Sequence, residues 1–155
     1  AIGRYMDKQA AEIQKDLENA KVERVGEGIK ITFDSGILFD SGSSQLKQAA
    51  KDNIVELSKI LNKYEDTKVV VQGYTDTSGS AELNQRLSKE RADSVTSFAA
   101  AQGVVMERID PMGMGPSNPV ADNSTAAGRQ ANRRVELAIF ANKKLKKAAL
   151  AGQKI

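Results

Sequence analysis

Hydrophobic and polar positions along the chain follow two periods, one typical of helices and one typical of strands. Apolar residues spaced by three or four predict helices over about 5–20, 44–61 and 81–102. Alternation on either side of Gly26-Glu27-Gly28 predicts a hairpin of strands at 22–25 and 29–33. Further strands are predicted at 67–74, 109–114 and 134–140. The order is therefore helix, hairpin, helix, strand, helix, strand, strand.

This order favours an α+β fold in two layers, a single sheet with helices on one face, because that arrangement buries every apolar stripe. The strand at 67–74 contains three consecutive valines, so we expect it to be covered on both faces and central in the sheet. A short helical turn is predicted over 125–132, capped by Asn123 or Ser124. We divide the chain into an N-terminal helix and hairpin strand (1–28), a main domain (29–140) and a C-terminal tail (141–155).

Composition excludes several classes of chemistry. The 155 residues contain no His and no Cys, which excludes Ser-His-Asp and Cys-His nucleophiles, disulfides and the common zinc sites. We therefore expect no bound metal and no cofactor. No apolar run reaches the roughly 18 residues that a membrane span needs. The start, Ala1-Ile2-Gly3-Arg4, lacks the basic and apolar regions of a signal peptide, which predicts either a cytoplasmic protein or the processed form of an exported one.

The formal charge of +3 is distributed unevenly along the chain. Residues 141–155 carry five lysines and no acid, and the rest of the chain is mildly acidic. Phosphate recognition needs basic residues spread over a folded face, so we expect no nucleic-acid partner. We interpret the tail as a solvated C-terminal helix or a frayed end. Contact of the tail with partners or with anionic lipid head groups stays an open alternative.

One charged residue lies on an apolar helix stripe. Arg91 follows Leu87 by four residues and precedes Val95 by four, so its side chain shares their side of the helix. A buried guanidinium without a partner is strongly unfavourable, so Arg91 needs either an anion or a route to solvent. Asn84 lies two turns earlier on the same face.

The loop before this helix supplies the matching acid, Asp76, with Thr75 beside it. A carboxylate, an amide and a guanidinium in one place complement a zwitterion such as an amino-acid head group, because the acid binds the ammonium and the arginine binds the carboxylate. The alternative is that Asp76 and Arg91 pair with each other and only attach the loop to the helix. A ligand that inserts into such a pair would satisfy both interpretations.

A second charged segment, Gly128–Arg134, contains three arginines. Because strand residues alternate, Arg133 and Arg134 face opposite sides, which argues against a continuous basic patch. We expect one of the two to face inward, toward an anionic group or a carbonyl. Catalysis is disfavoured, because Asp76 is the only well-placed acid or base and Glu90 points to another side of the helix from Arg91, which leaves no carboxylate pair for glycoside hydrolysis.

The spacing of these residues forms one pattern over about sixty residues. It reads Thr75-Asp76-x-x-Gly79, Asn84, Leu87-Ser88-x-x-Arg91-Ala92, Gly113-x-Gly115, Pro119, Asn123-x-Thr125-x-x-Gly128-Arg129 and Asn132-Arg133-Arg134-Val135. The pattern resembles the OmpA-like peptidoglycan-binding domain of OmpA C-terminal and MotB-type proteins, over about 30–140. The resemblance implies a βαβαβ core with helices on one face of a mixed sheet. It also implies non-covalent binding of peptidoglycan through the diaminopimelate of the stem peptide.

The resemblance further implies which residues hold this ligand. It implies that Asp76 binds the amine of diaminopimelate and that Arg91 binds its carboxylate. It also implies that Asn84 and Arg133 make additional contacts with the ligand, and that Thr75 and the loop around Asp40 border the pocket. The implied protein is a binding protein and not an enzyme, and it tethers the outer membrane to the cell wall.

The implied location is the periplasmic face of the outer membrane. The opening residues resemble the stretch that follows the glycine-rich anchor segment in lipoproteins of this family, so we expect attachment only through a segment absent from this chain. The alternative is a structural interaction protein of the envelope, in which the Asp76–Arg91 pair is only a fold-stabilising ion pair.

Overall fold

The computed structural model describes residues 2–155 as a five-stranded sheet with helices packed against it. The strands are β1 (Ala20–Val25), β2 (Gly28–Asp34), β3 (Thr67–Tyr74), β4 (Ile109–Gly115) and β5 (Arg134–Ala141). The helices are α1 (Ile2–Asp16), α2 (Ser35–Leu38), α3 (Gln48–Lys63), α4 (Ala81–Ala101), α5 (Ala126–Asn132) and α6 (Lys143–Leu150), with a 3-10 turn at Met106–Arg108.

The sheet is mixed and has the strand order β1-β2-β5-β3-β4. The pairs β1–β2, β2–β5 and β5–β3 are antiparallel, and β3–β4 is parallel. Helix α4 provides the crossover that a parallel pair requires. The hairpin closes where Val25 pairs with Gly28, and Gly26 adopts a φ of 58°, which glycine allows without strain. The predicted α+β fold with a mixed sheet is confirmed.

The core lies between one face of the sheet and helices α1, α3 and α4. Alternate strand residues face these helices and are buried: Ile29, Ile31, Phe33, Val69, Val71, Val135, Leu137 and Ile139. Two glycines bring α4 close to the sheet. A Cβ on Gly73 would lie 2.3 Å from the Ser88 carbonyl oxygen, and one on Gly113 would lie 2.6 Å from the Lys89 nitrogen. This close approach sets the position of α4 over the ends of β3 and β4.

The prediction that the strand at 67–74 is covered on both faces is wrong. Strand β3 does lie inside the sheet, between β5 and β4. Its residues alternate, however, with Lys68 exposed and Val70 and Gln72 half-buried. The helices occupy only the other face, so the valine run reflects strand propensity as well as burial.

Two helix starts also differ from the prediction. Helix α3 begins at Gln48, several residues after 44, because Phe39 and Leu46 form an isolated bridge that keeps the intervening segment in a loop. Helix α5 is capped by Thr125, whose hydroxyl accepts a hydrogen bond from the Gly128 nitrogen at 2.9 Å. The cap is therefore neither Asn123 nor Ser124, and a threonine fills the same role by the same hydrogen bond.

The lysine-rich tail forms a helix, one of the two states predicted for it. Helix α6 follows β5 directly, and its one buried side chain is Leu145. Among the helices of residues 2–155, none combines the length and the hydropathy of a membrane span. The division of the chain at 28 and at 140 stays a prediction.

Candidate functional site

A cleft of about 620 Å³ opens at the carboxyl end of β3. Its walls are the loop that follows β3, the first half of α4 and the segment that contains α2. Most of the residues predicted from the sequence line this cleft: Asp76, Arg91, Asn84, Thr75 and Arg133. The fold therefore brings together side chains from a loop, a helix and the start of β5.

The acid of the cleft, Asp76, is 6% exposed. Its Oδ1 accepts a hydrogen bond from the Ser78 nitrogen at 2.8 Å, and its Oδ2 accepts one from Arg133 Nη1 at 2.5 Å. Burial raises the pKa of Asp76, but the hydrogen bonds from Ser78 and Arg133 outweigh burial and bring this pKa below its ordinary value. The carboxylate is therefore ionised at neutral pH.

The loop that carries Asp76 is held by its predicted neighbours. Asn84 Nδ2 donates to the carbonyl oxygens of Ser78, at 2.7 Å, and of Asp76, at 3.4 Å. The Thr75 hydroxyl donates to the Asp76 carbonyl oxygen at 2.9 Å. Ser80 ends the loop and caps α4 by accepting a hydrogen bond from the Leu83 nitrogen. Asn84 and Thr75 thus position the carboxylate of Asp76.

The cation on the apolar stripe, Arg91, is 5% exposed. Its Nε donates to the Ser43 carbonyl oxygen at 2.9 Å, and its Nη2 donates to the Asp40 carbonyl oxygen at 3.2 Å. The guanidinium carbon lies 5.0 Å from the centroid of the Phe39 ring. Burial, together with the positive charge of Arg133, lowers the pKa of Arg91. An arginine still stays protonated at neutral pH because its ordinary pKa is so high.

Arg91 has no counter-charge within residues 2–155. No carboxylate in this part of the chain lies within 4.0 Å of its guanidinium. Its Nη1 donates no hydrogen bond to any group of residues 2–155. The predicted ion pair between Asp76 and Arg91 is therefore not formed. Asp76 pairs with Arg133 instead, because β5 starts beside the end of β3, where Arg134 pairs in register with Tyr74.

Asp40 contributes its backbone to the site. Its carboxylate is 82% exposed and lies 4.0 Å from Lys47 Nζ, outside the residues that line the cleft. Its carbonyl oxygen accepts the hydrogen bond from Arg91. The Asp40 loop thus borders the cleft, and its side chain points elsewhere.

The prediction that one arginine of the pair 133–134 faces inward is confirmed by Arg134. This residue lies on the helix-free face of the sheet and its side chain is only 4% exposed. Nε donates to Glu136 Oε2 at 2.5 Å, Nη1 to the Asn132 carbonyl oxygen and Nη2 to the Asn118 carbonyl oxygen. The guanidinium stacks on Tyr74, 3.9 Å from the ring centroid. Burial first, and then Glu136, raise the pKa of Tyr74.

Several residues of the cleft were not predicted. Phe39 stacks on Arg91, and Ser35 lines the cleft with a hydroxyl that is buried and has no hydrogen-bond partner within residues 2–155. Helix α2 has only four residues, which is too short for a periodic signal around Ser35. Leu87, which shares the apolar stripe of α4 with Arg91, forms the apolar wall of the cleft together with Leu83.

The arrangement suits a small zwitterion. Two cations and one anion face the cleft, and the anion already has a partner in Arg133, so the unmatched group is the guanidinium of Arg91. Over residues 2–155, no group of three acidic side chains is placed to hold a metal ion. The available chemistry is charge-assisted hydrogen bonding to a carboxylate and an ammonium group.

The comparison with known sequences gives one family and a series of relatives. Residues 38–133 match the profile of the OmpA family. The chain is 42% identical, over 140 residues, to the probable lipoprotein YiaD of Escherichia coli (strain K12). This match covers 89% of the chain and 64% of the lipoprotein, so the chain spans less than two thirds of that relative.

Solved structures share the fold over nearly the whole chain. A MotB-like protein from Desulfovibrio vulgaris superposes with a TM-score of 0.80 at 19% identity, covering 91% of this chain and 94% of that one. The cell wall anchor of the T6SS from Pseudomonas aeruginosa superposes with a TM-score of 0.73 at 27% identity, covering 92% of this chain and 98% of the anchor.

Proposed function

Since the chain belongs to the OmpA family, we propose that it binds peptidoglycan non-covalently in the cleft around Arg91. The observation that carries this proposal is a buried guanidinium that faces the cleft with no counter-charge in residues 2–155. Folding has already removed this cation from water, so an incoming carboxylate gains a charge-assisted hydrogen bond at little additional desolvation of the arginine. A relative of similar fold is named as a cell wall anchor, which supports the same assignment.

The ligand group that we propose is the diaminopimelate of the stem peptide. Its side chain ends in a carbon that carries both an ammonium and a carboxylate. Arg91 would bind the carboxylate through its unused Nη1, and Asp76 would bind the ammonium. Arg133 is 43% exposed, so it can move aside from Asp76 when the ammonium arrives. Asn84 and Thr75 hold the loop, and the Asp40 carbonyl holds the guanidinium.

Two properties of the cleft favour binding over catalysis. The lowered pKa of Asp76 makes this carboxylate a weak proton acceptor at neutral pH. Within residues 2–155, no second carboxylate lines the cleft beside that of Asp76. The purely structural alternative invokes an Asp76–Arg91 ion pair, and the donation from Arg91 to the Ser43 and Asp40 carbonyl oxygens argues against that pair.

The proposed setting is the periplasmic face of the outer membrane, where the domain would tether that membrane to the cell wall. A relative at 42% identity is a probable lipoprotein, and the chain spans 64% of its length. We therefore propose that attachment to the membrane comes from a segment outside these 155 residues. A few charge-assisted hydrogen bonds of about 1.5–3 kcal/mol each, less the cost of association, give an affinity for the isolated ligand on the order of micromolar to millimolar.

Titration of meso-diaminopimelate, followed by amide chemical shifts, tests the proposal. We expect shifts concentrated on the loop after β3 and the first half of α4. A stem-peptide fragment with diaminopimelate should bind at least about ten-fold more tightly than the same fragment with lysine, because lysine lacks the carboxylate for Arg91. Asp76→Ala and Arg91→Ala should each abolish measurable binding. Unchanged affinity in either folded variant would overturn the proposal.

A further inference from the structure

The lysine-rich helix α6 lies at the end of the sheet opposite the cleft. Ala141, which precedes it, pairs with Thr67 at the start of β3, and the Asn142 nitrogen donates to the Asp66 carbonyl oxygen at 3.1 Å. The cleft lies after Tyr74, at the other end of the same strand. Eight strand residues separate the two sites by roughly 23 Å. The tail therefore does not contribute to the cleft.

Helix α6 presents a basic outer face and a small apolar inner face. Leu145 is buried, and Ala148 and Ala149 beside it are half-buried, which is the spacing of one helix face. Asn142 caps the helix by accepting a hydrogen bond from the Leu145 nitrogen. The outer face consists of exposed residues: Lys143, Lys144, Lys146, Lys147 and Leu150. The helix is thus fixed to the domain and displays its lysines outward.

Most of this positive charge is unbalanced within residues 2–155. Lys144 lies 3.8 Å from Asp66, and the other three lysines of the helix form no ion pair in this part of the chain. Lys154 lines the same groove as Lys144 and Lys147, and Tyr5 of α1 borders it. An anionic partner would meet an already assembled set of ammonium groups.

We propose that the outer face of α6 binds an anionic phospholipid surface. The charge is spread along the helix face, as an extended anionic plane requires. Leu150 is 89% exposed at the end of the same face, and a leucine beside lysines suits the boundary between head groups and acyl chains. A soluble polyanion gives no partner to that leucine. The proposal concerns a different surface from the cleft and does not depend on the ligand of Arg91.

Sedimentation of the full chain with vesicles tests this proposal. We expect binding to phosphatidylcholine vesicles that contain phosphatidylglycerol, no binding to phosphatidylcholine alone, and weaker binding as salt is raised. Replacing Lys143, Lys144, Lys146 and Lys147 together by glutamine should weaken binding by about 600-fold, since each of the four lysines near such a surface contributes roughly five-fold. Leu150→Ser should weaken it by about five-fold.

A matched control variant separates the effect of the position of the lysines on vesicle binding from the effect of the net charge of the chain. Replacing Lys15, Lys21, Lys59 and Lys89 by glutamine removes the same charge from exposed sites outside α6, and we expect vesicle binding to change by less than about three-fold. The α6 variant should bind diaminopimelate as the original chain does. Equal losses of vesicle binding in the two lysine variants would overturn the assignment to lipid. The same holds if Leu150→Ser leaves vesicle binding unchanged and duplex DNA binds as well as the vesicles do.

Discussion

Two arginines at the same end of the sheet, Arg91 and Arg134, are almost equally buried and differ in how the fold treats their charge. Arg134 has a carboxylate, two carbonyl oxygens and the face of Tyr74. Arg91 has two carbonyl oxygens, the ring of Phe39 and no carboxylate within the described residues. Since a buried charge without compensation is unfavourable, the first network completes the fold, and the second is the one that we propose a ligand completes.

A third arginine, Arg108, differs from both in how its hydrogen bonds are satisfied. Arg108 is also without a carboxylate partner in residues 2–155, but it donates to the carbonyl oxygens of Leu61, Tyr64 and Thr67 and to the Thr67 hydroxyl. Four hydrogen bonds use all three of its nitrogens. The distinguishing property of Arg91 is therefore an unused nitrogen that faces a cleft, and the lack of an acid is only part of it.

The largest expected effect is the loss of stability in Arg134→Met. The change removes the buried partner of Glu136 and leaves this carboxylate only the more distant Lys30, at 3.7 Å, so the free energy of unfolding should fall by about 3 kcal/mol. Urea unfolding followed by circular dichroism measures this value. Arg86→Met, at a side chain that is 71% exposed, should cost less than about 0.5 kcal/mol. A loss in Arg134→Met no larger than this control would mean that the network does not stabilise the fold.

The matching change in the cleft, Arg91→Met, should affect binding and leave stability nearly unchanged. Methionine keeps the contact with Phe39 and removes a buried charge that lacks a counter-ion, so the free energy of unfolding should stay within about 1 kcal/mol. The affinity for diaminopimelate should fall by about 100-fold. Urea unfolding with and without the ligand measures both quantities. A destabilisation as large as that of Arg134→Met would show that Arg91 stabilises the fold as much as Arg134 does, and would contradict this prediction.

The pH dependence of Asp76→Asn tests the anion of the cleft. Folding lowers the pKa of Asp76, so its carboxylate stabilises the fold above the unfolded pKa of about 3.9 and loses this effect as the pH falls through the lower folded value. We expect Asp76→Asn to cost about 1.5 kcal/mol near neutral pH and progressively less below about pH 4. Unfolding curves over this range check it, with Asp40→Asn as the exposed control. A cost that does not shrink in acid would contradict the assignment.

The smallest effect concerns an uncharged group, the Ser35 hydroxyl. Because this buried hydroxyl has no partner within residues 2–155, Ser35→Ala should not lower stability, yet it should weaken diaminopimelate binding by about five-fold. Ser58 of α3 has an equally buried and unpartnered hydroxyl outside the cleft. Ser58→Ala should therefore leave binding unchanged. Equal affinities in both variants, measured by amide shifts, would show that Ser35 does not contact the ligand.

Much of the fold could be predicted because its elements carry local signals. The strands at 67–74 and 109–114 and the helix at 81–102 appear within one or two residues of their predicted bounds. The loop before α3 and the four residues of α2 could not be predicted, because their conformation depends on contacts such as the Phe39–Leu46 bridge. The exposure of one face of β3 could not be predicted, because high strand propensity and burial on both faces each produce a run of valines.

In the candidate site, too, nearby spacing predicts some positions, and contacts between distant parts of the chain determine the others. Asn84 and Arg91 could be placed on one face because helix geometry fixes their relation over seven residues. The partner of Asp76 could not be chosen, because Arg133 is 57 residues away and reaches it only through the pairing of β3 with β5. Phe39 and Ser35 gave no periodic signal at all. Spacing thus identifies candidates, and sheet register decides their pairs.

The placement of the cleft and of α6 at opposite ends of β3 has a mechanical consequence. A force that pulls these two ends apart runs along the strand direction. Strand β3 is hydrogen-bonded to β5 over eight residue pairs and to β4 on its other side. Such a force shears both ladders at once and does not peel them bond by bond, so the domain resists extension most strongly along the line that joins the cleft to α6.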